Sequence, residues 1–571
     1  MAGNVDSSGA LPTGVKACRT CRIRRIKCDK AFPICRKCSS TGRQCDGYGI
    51  WGGGSRAPPS PLHPKKAGAM VREGKRIASV RQISMLSIPL EDRETLEWFQ
   101  DRTLRKIPGM FKSDFWDILL LQASATEPAV MHGILALSSV HRCGVTLEIK
   151  SLLSNGNAGR YWTSGLHHYV EAIYHLRQRV SSYNIHDRTT LRVLIITCMV
   201  FVCVELLSGQ VESAQAHLRS GLRLLREAEW LNHMNEPILK TDRSFESVDQ
   251  WIVEIFCRLH LHNETFNLFF LGRCSIEDAQ TRALTMSVNT DLPSTFSFQE
   301  EAWAAADQLF LAAIYLTQDC KAASLSGCTP TSDQSLVRRR IRLLSDLSAW
   351  SGAFDKSKQS PFKMARGEYD VSPNLIQMSF TLATILTETS LQGDDEMVYD
   401  QHTENFRILL DCTDDMIRIY KDQARKKKML KVQNMSFTIF DICTLPVFYF
   451  AATKCREFRL RRQALAGLSV LLHRECHWDG WLTYKVAKKA VELEQGFTYD
   501  GSSAYVPLYT PVPTSSRLHN LRVATTGDPY TMLRLEFTRT NGSTISAGSV
   551  HLDIRSGMWS EDTSTAKPQS H

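Results

Sequence analysis

Six cysteines between Cys18 and Cys45 constrain this chain more than anything else in its 571 residues. The segment reads CRTCRIRRIKCDKAFPICRKCSSTGRQC, and Cys18, Cys21, Cys28, Cys35, Cys38 and Cys45 follow the spacing C-x2-C-x6-C-x6-C-x2-C-x6-C, one half-motif written twice. A piece of 28 residues has no adequate apolar core, so it needs a metal or disulfides to fold. Each C-x2-C pair can bring two thiolates to one tetrahedral ion, with Zn–S distances of about 2.3 Å. Arg and Lys, not apolar residues, fill the gaps, which favours metal over a disulfide knot. The start of the chain, MAGNVDSSGALPTG, has neither a basic opening nor an apolar run, so no secretory leader is expected. Six sulfurs are too few for two separate four-cysteine sites. Two zinc ions with four ligands each are satisfied only if two sulfurs bridge.

Charge points to the partner. The chain carries +10 overall, but its first 81 residues carry +13 and the rest −3. One end is built for a polyanion and the body is not. Between Cys18 and Cys45 lie nine Lys/Arg and one Asp. With six thiolates and two Zn2+, the folded module is about +6 on a very small surface. Phosphates are the natural counterpart, and binding should fall steeply with salt.

The spacing resembles the fungal Zn(2)-Cys(6) binuclear cluster family, over all of residues 18–45. The resemblance implies that Cys18 and Cys35 bridge, that Cys21 and Cys28 complete one zinc, and that Cys38 and Cys45 complete the other. Pro33 matches the proline that turns the family's inter-helix loop. The resemblance further implies that Arg24 and Arg25, in the run from Arg22 to Lys27, reach the bases of a CGG triplet. An Arg held in the major groove can bond guanine O6 and N7 bidentately, and Arg25 is the main candidate for that contact. Lys16, Arg19, Arg22, Lys27, Arg36 and Lys37 are expected on phosphates, which give affinity but not sequence choice.

Hydrophobic periodicity organises the rest. Residues 1–14 read as disordered, 15–48 as the zinc cluster with two short helices, and 49–86 as a flexible linker. Gly and Pro clusters mark that linker, and Gly68, Gly74 and Pro89 interrupt every register of a coiled coil. Residues 87–498 read as a large all-α regulatory domain, 499–555 as a β-rich appendage and 556–571 as a tail. Pro128 sits where a first helical turn tolerates proline and Gly144 where a helix would stop. Leu191–Leu207, apolar nearly all round, predicts a buried central helix ended by Gly209. The stretch Val211, Ala214, Leu218, Leu222 and Leu225 predicts an amphipathic one, with further helices near 244–270, 300–320, 372–392, 402–425, 433–455 and 457–473. After Tyr499 the period becomes two. Leu533, Leu535 and Phe537 alternate with polar residues, Asn541-Gly542 signals a hairpin turn, and Val550, Leu552 and Ile554 continue the alternation. The longest nearly uncharged run, Val193 to Val204, is shorter than the roughly 20 residues of a membrane span, so no membrane partner is expected. The eleven cysteines outside the cluster read as small buried hydrophobes in a reducing compartment.

Three stretches of the body, FWDILLLQASATEPAVMHGILALSSVHR, ITCMVFVCVELLSGQVESAQAHLRSGLRLL and CTLPVFYFAATKCREFRLRRQAL, resemble the fungal-specific transcription factor domain that often follows such clusters. The resemblance spans roughly residues 90–495 and implies an all-helical regulatory domain, an arrangement common among regulators of secondary-metabolite gene clusters. Enzyme motifs are poor. His473-Arg-Glu475-Cys-His477 is neither H-E-x-x-H nor H-x-x-E-H, and Gly68 to Gly74-Lys75 is one residue too long for a phosphate loop. Arg425–Lys428 and Lys65, Lys66, Lys75 and Arg76 are candidate import signals. The expectation is a nuclear, non-enzymatic, sequence-specific DNA-binding regulator of RNA polymerase II genes. Its partners would be double-stranded DNA, a second copy held through the helical body, and the transcription machinery or co-regulators. The rival reading is an enzyme or small-molecule-binding protein with the cluster as a staple, and a third is a repressor or RNA binder.

Overall fold

The computed structural model describes residues 21, 26–29, 36–41, 90–108, 115–150, 158–182, 188–227, 248–274, 282, 285, 292–359, 371–426, 444–471, 473–496, 512–526, 531–541 and 544–561. The segments read as disordered at 1–14 and as linker at 49–86 lie outside them. Two compact units divide the chain: Met1–Glu236 with Lys240–Cys257, and Pro237–Leu239 with Arg258–His571.

The described body of the first unit is helical. It comprises α1 (Leu90–Trp98), short helical segments that pass from π to α at Phe99–Lys106 and Phe115–Ser124, α2 (Pro128–Lys150), α3 (Ala158–Ser182), α4 (Arg188–Leu207), α5 (Val211–Glu227) and the opening of α6 (Val248–Phe269). Pro128 begins α2 as predicted, but the helix runs through Gly144 to Lys150. Glycine weakens a helix interior by about 1 kcal/mol without breaking its hydrogen-bond ladder, so it does not stop a helix held by packing. α2 lies along α3 and also meets α4, and α4 packs on α5. Val193, Ile195, Ile196, Val200, Val202 and Cys203 of α4 are buried. The stretch Thr190–Leu207 is long and apolar enough to cross a membrane by length and composition, longer than the run counted on sequence, and 89% of it is buried inside the structure. The helix ends as Gly209 takes φ +77°. There the Gln210 N–H reaches the Glu205 carbonyl at 2.8 Å and the Gly209 N–H the Leu206 carbonyl at 3.1 Å, a Schellman closure that only glycine makes cheaply. On α5, Ala214, Leu218, Leu222 and Leu225 form the buried stripe. Gly221 is small because the Phe256 ring of α6 lies against it.

The second unit holds the rest of α6, then α7 (Gln299–Leu325), α8 (Gln334–Gln359), α9 (Ser372–Thr389), α10 (Thr403–Lys426), α11 (Thr444–Lys454), α12 (Phe458–Val470) and α13 (Gly480–Gln495). α7 packs on α8 and α9, α9 on α10, and α11 on α12 and α13. The periodicity leaves α3, α8 and α13 unread. In α8 the buried Leu336, Leu343, Leu347, Trp350 and Phe354 share a face, but exposed Ile341 on another face blurs the period. A two-stranded hairpin, β1 (Arg474–Glu475) with β2 (Trp478–Asp479), interrupts the region expected to be all-α.

The predicted appendage is an antiparallel meander of β3 (His519–Thr526), β4 (Met532–Asn541), β5 (Thr544–Asp553) and β6 (Trp559–Glu561), in that order. β4 and β5 pair out to Asn541 and Thr544, so the connection between them is the two residues 542 and 543. β6 carries the sheet past residue 555. Val523, Leu533, Leu535, Phe537, Val550 and Leu552 bury one face, and Leu518 and Phe537 cluster with Ala490 of α13. The Phe537 ring lies over Gly548, where a Cβ would come within 2.6 Å of it.

Candidate nucleic-acid interface

The described part of the cysteine segment places sulfurs inside and cations outside. Cys21 and Cys28 are 0% and 8% exposed, while Lys27, Arg36 and Lys37 are exposed. The Ile26 N–H donates to the Cys21 carbonyl at 3.1 Å, turning the chain back toward its first C-x2-C pair. Asp29 is the one acid between the outer cysteines. Its carboxylate accepts from the Arg36 N–H at 3.1 Å and the Lys37 N–H at 3.3 Å. It thereby caps the one-turn helix Arg36–Ser39, which contains Cys38 of the second C-x2-C pair. The two half-motifs are thus joined through a side chain that the charge count treated only as a deduction. Thr41 closes the turn, its hydroxyl donating to the Lys37 carbonyl at 2.9 Å.

Buried thiols in a segment without an aliphatic core fit a thiolate-bound metal, since soft sulfur donors suit zinc. Cys21 and Cys28 are the described side chains that would hold it, and the metal would supply the folding energy the segment lacks. Of the expected phosphate contacts, Lys27, Arg36 and Lys37 face solvent. Cys18, Cys35, Cys45, the Cys38 side chain, Lys16, Arg19, Arg22, Arg24 and Arg25 lie outside the described residues.

The body's flagged motif has a structural explanation. Glu475 of the 473–477 motif accepts from the Thr444 N–H at 3.1 Å, the Thr444 hydroxyl at 2.8 Å and the Leu445 N–H at 2.8 Å, capping the start of α11. His473 Nε2 lies 2.7 Å from the same carboxylate. His477 is buried and stacks on Phe266 with ring centroids 5.4 Å apart, and burial pushes it down to about 3. No sequence motif marks a cap supplied from 31 residues away. Arg425, at the opening of a candidate import signal, pairs with Asp422 at 3.3 Å on an exposed helix face. Of the described body cysteines, Cys274 is partly buried and Cys328 exposed, while the others are buried as expected.

Cysteine segment, outward cations and helical body together fit the class of transcription regulators that carry a zinc-cluster domain. Residues 16–50 match the fungal Zn(2)-Cys(6) binuclear cluster domain, and residues 95–387 match the fungal specific transcription factor domain. The chain therefore belongs to the fungal specific transcription factor family and carries a zinc-binding Zn(2)-Cys(6) domain, a combination found in transcription regulators and not in enzymes. It is 25% identical over 437 residues to the aspercryptin biosynthesis cluster-specific transcription regulator atnN of Emericella nidulans, covering 73% of this chain and 66% of that one. It is 23% identical over 258 residues to the transcription regulator lscL of Purpureocillium lilacinum, covering 41% of this chain and 55% of that one. The acriflavine sensitivity control protein acr-2 of Neurospora crassa is 54% identical over 35 residues, 6% of each chain. The alignments thus span about two thirds and about half of the two longer-matched relatives. No solved structure matches the chain.

Proposed function

We propose that this protein is a nuclear, sequence-specific DNA-binding regulator of RNA polymerase II genes. In this reading it holds two zinc ions per chain through the six cysteines, with Cys18 and Cys35 bridging. It reads CGG-type triplets with Arg25 and Arg24, while Lys16, Arg19, Arg22, Lys27, Arg36 and Lys37 meet phosphates. The observation that carries it is the pairing of buried Cys21 and Cys28 with outward Lys27, Arg36 and Lys37 at the strongly basic end of the chain. A structural staple needs no such surface. The name of the Emericella relative, a cluster-specific regulator, supports a secondary-metabolite gene cluster as the target.

A single cluster touches few base pairs, so pairing of two copies would supply avidity limited by linker reach. In this reading that contact lies in the helical body. It is supported by a row on α3 spaced four residues apart, Trp162, Leu166, Val170 and Tyr174, which are 39%, 50%, 61% and 54% exposed. Co-regulators or the transcription machinery would meet the remaining body surface.

Selection of bound sequences by the full chain tests the reading, with CGG triplets expected among the enriched DNAs. Arg25→Ala should cost about 1–3 kcal/mol on the preferred site and relax choice at one guanine. Lys37→Ala should weaken all sequences about equally and lower the salt slope by about one unit. Identical behaviour of the two variants across altered triplets would refute the assignment.

A further inference from the structure

We propose that His132, Glu171 and His175 form a binding site for a divalent transition-metal ion, separate from the cysteine cluster, with His168 and Asp92 as positioning residues. His132 stands on α2, and Glu171 and His175 sit one turn apart on α3. One donor atom from each of the three lies within 4.8 Å of the others, and all three side chains are half-buried. Two imidazoles and a carboxylate suit zinc and its neighbours in the first transition row. Tetrahedral coordination at about 2.1 Å needs donors about 3.4 Å apart, so small side-chain rotations close the site. The half-buried setting leaves a position open to water.

The neighbours of His132 fix which of its nitrogens can bind. His168 Nε2 lies 3.3 Å from the Asp92 Oδ1 on α1, and a carboxylate accepts, so His168 carries its proton on Nε2. Its Nδ1 is then a bare acceptor. That Nδ1 lies 3.1 Å from the His132 Nδ1, so His132 must donate from Nδ1 and keep a lone pair on Nε2. A carboxylate–histidine–histidine relay of this kind is how proteins orient a metal-ligating imidazole. The His132 and His175 rings stack at 5.3 Å with planes 10° apart. A bound ion would tie α2 to α3 within the first unit.

The test uses the full-length chain dialysed against buffered micromolar free zinc, with metal per chain measured by mass spectrometry. The wild type should hold one ion more than the double variant His132→Ala, His175→Ala. Reading this difference makes the result independent of how many ions the cysteines hold. Glu171→Gln, a near-isosteric change on a half-buried surface, should weaken uptake without unfolding the chain, and His168→Gln should weaken it about 10–100-fold. His167→Ala, at the exposed neighbouring histidine, should retain the ion. Cobalt added beyond the capacity of the cysteine cluster should give visible d–d absorption without the near-ultraviolet thiolate charge-transfer band. Equal metal content in the wild type, the double variant and Glu171→Gln would overturn the proposal. So would the absence of any thiolate-free cobalt spectrum from the wild type.

Discussion

Glu494 is the residue whose loss should damage the second unit most, and the structure sets the size of the effect. Its carboxylate is buried near the end of α13 and accepts from Arg456 at 2.8 Å, Arg461 at 2.6 Å and the Leu518 N–H at 2.9 Å. Arg456 also reaches Glu396 at 3.2 Å, and Lys454 pairs with the same carboxylate. Arg517 extends the network through Asp400 at 2.8 Å and the Glu396 carbonyl at 3.1 Å. Glu494→Ala leaves two buried guanidiniums sharing too few acceptors and removes one of the ties between α13 and the start of the sheet. Breaking a buried, hydrogen-bonded ion pair from one side costs about 3–5 kcal/mol. The exposed pair of Asp355 with Lys358, at 3.2 Å, is the control, and Asp355→Ala should cost about 0–1 kcal/mol. Urea unfolding of the full chain, with hydrogen exchange reporting which unit opens, measures both. If Glu494→Ala costs no more than Asp355→Ala, the network is not holding the appendage to the helices and the reasoning fails.

The same network makes stability acid-sensitive. Burial opposes ionisation of Glu494, but Arg461, Arg456 and the Leu518 N–H outweigh it, and Lys454 and Arg456 do so at Glu396, so both carboxyls lie below the ordinary carboxylate value. The unfolded chain takes up those protons first, so their contribution is present above the ordinary value and lost as pH falls through the folded ones. Burial likewise lowers His141 to about 4 and His477 to about 3 from 6.5. Loss should therefore begin as pH drops below 6.5, and His477→Phe should flatten the upper part of that decline in a pH series of urea midpoints. Gly221→Ala would bring a Cβ within 2.2 Å of the Phe256 ring and should cost about 1–3 kcal/mol by overpacking, read by the same unfolding assay. Metal analysis should find Cys18→Ser and Cys35→Ser disturbing both proposed zinc ions, whereas Cys45→Ser first disturbs one. Equal losses in all three variants would remove the bridging assignment.

Much of this protein is written locally. The spacing from Cys18 to Cys45 marks a zinc-binding module, because each C-x2-C pair keeps two thiolates within reach of one ion. The basic excess of the first 81 residues determines a polyanion partner, since charge sums without regard to fold. The helix of 191–207 was legible because it is apolar nearly all round, and the helix of 211–225 and the β4–β5 hairpin because their apolar residues keep a period of 3.6 or two. Tertiary structure alone decided the rest. The acceptor that caps α11 at Thr444 comes from 31 residues away, the Glu396–Arg456 pair spans 60 and the Arg517–Asp400 pair 117. The periodicity of α3 and α8 is blurred by exposed Trp162, Leu166, Val170, Tyr174 and Ile341. His132 and His168 become partners only because α2 lies along α3. A buried charge or imidazole is stabilised by whichever group the packing brings within hydrogen-bond reach, and no local pattern in the chain encodes that distance.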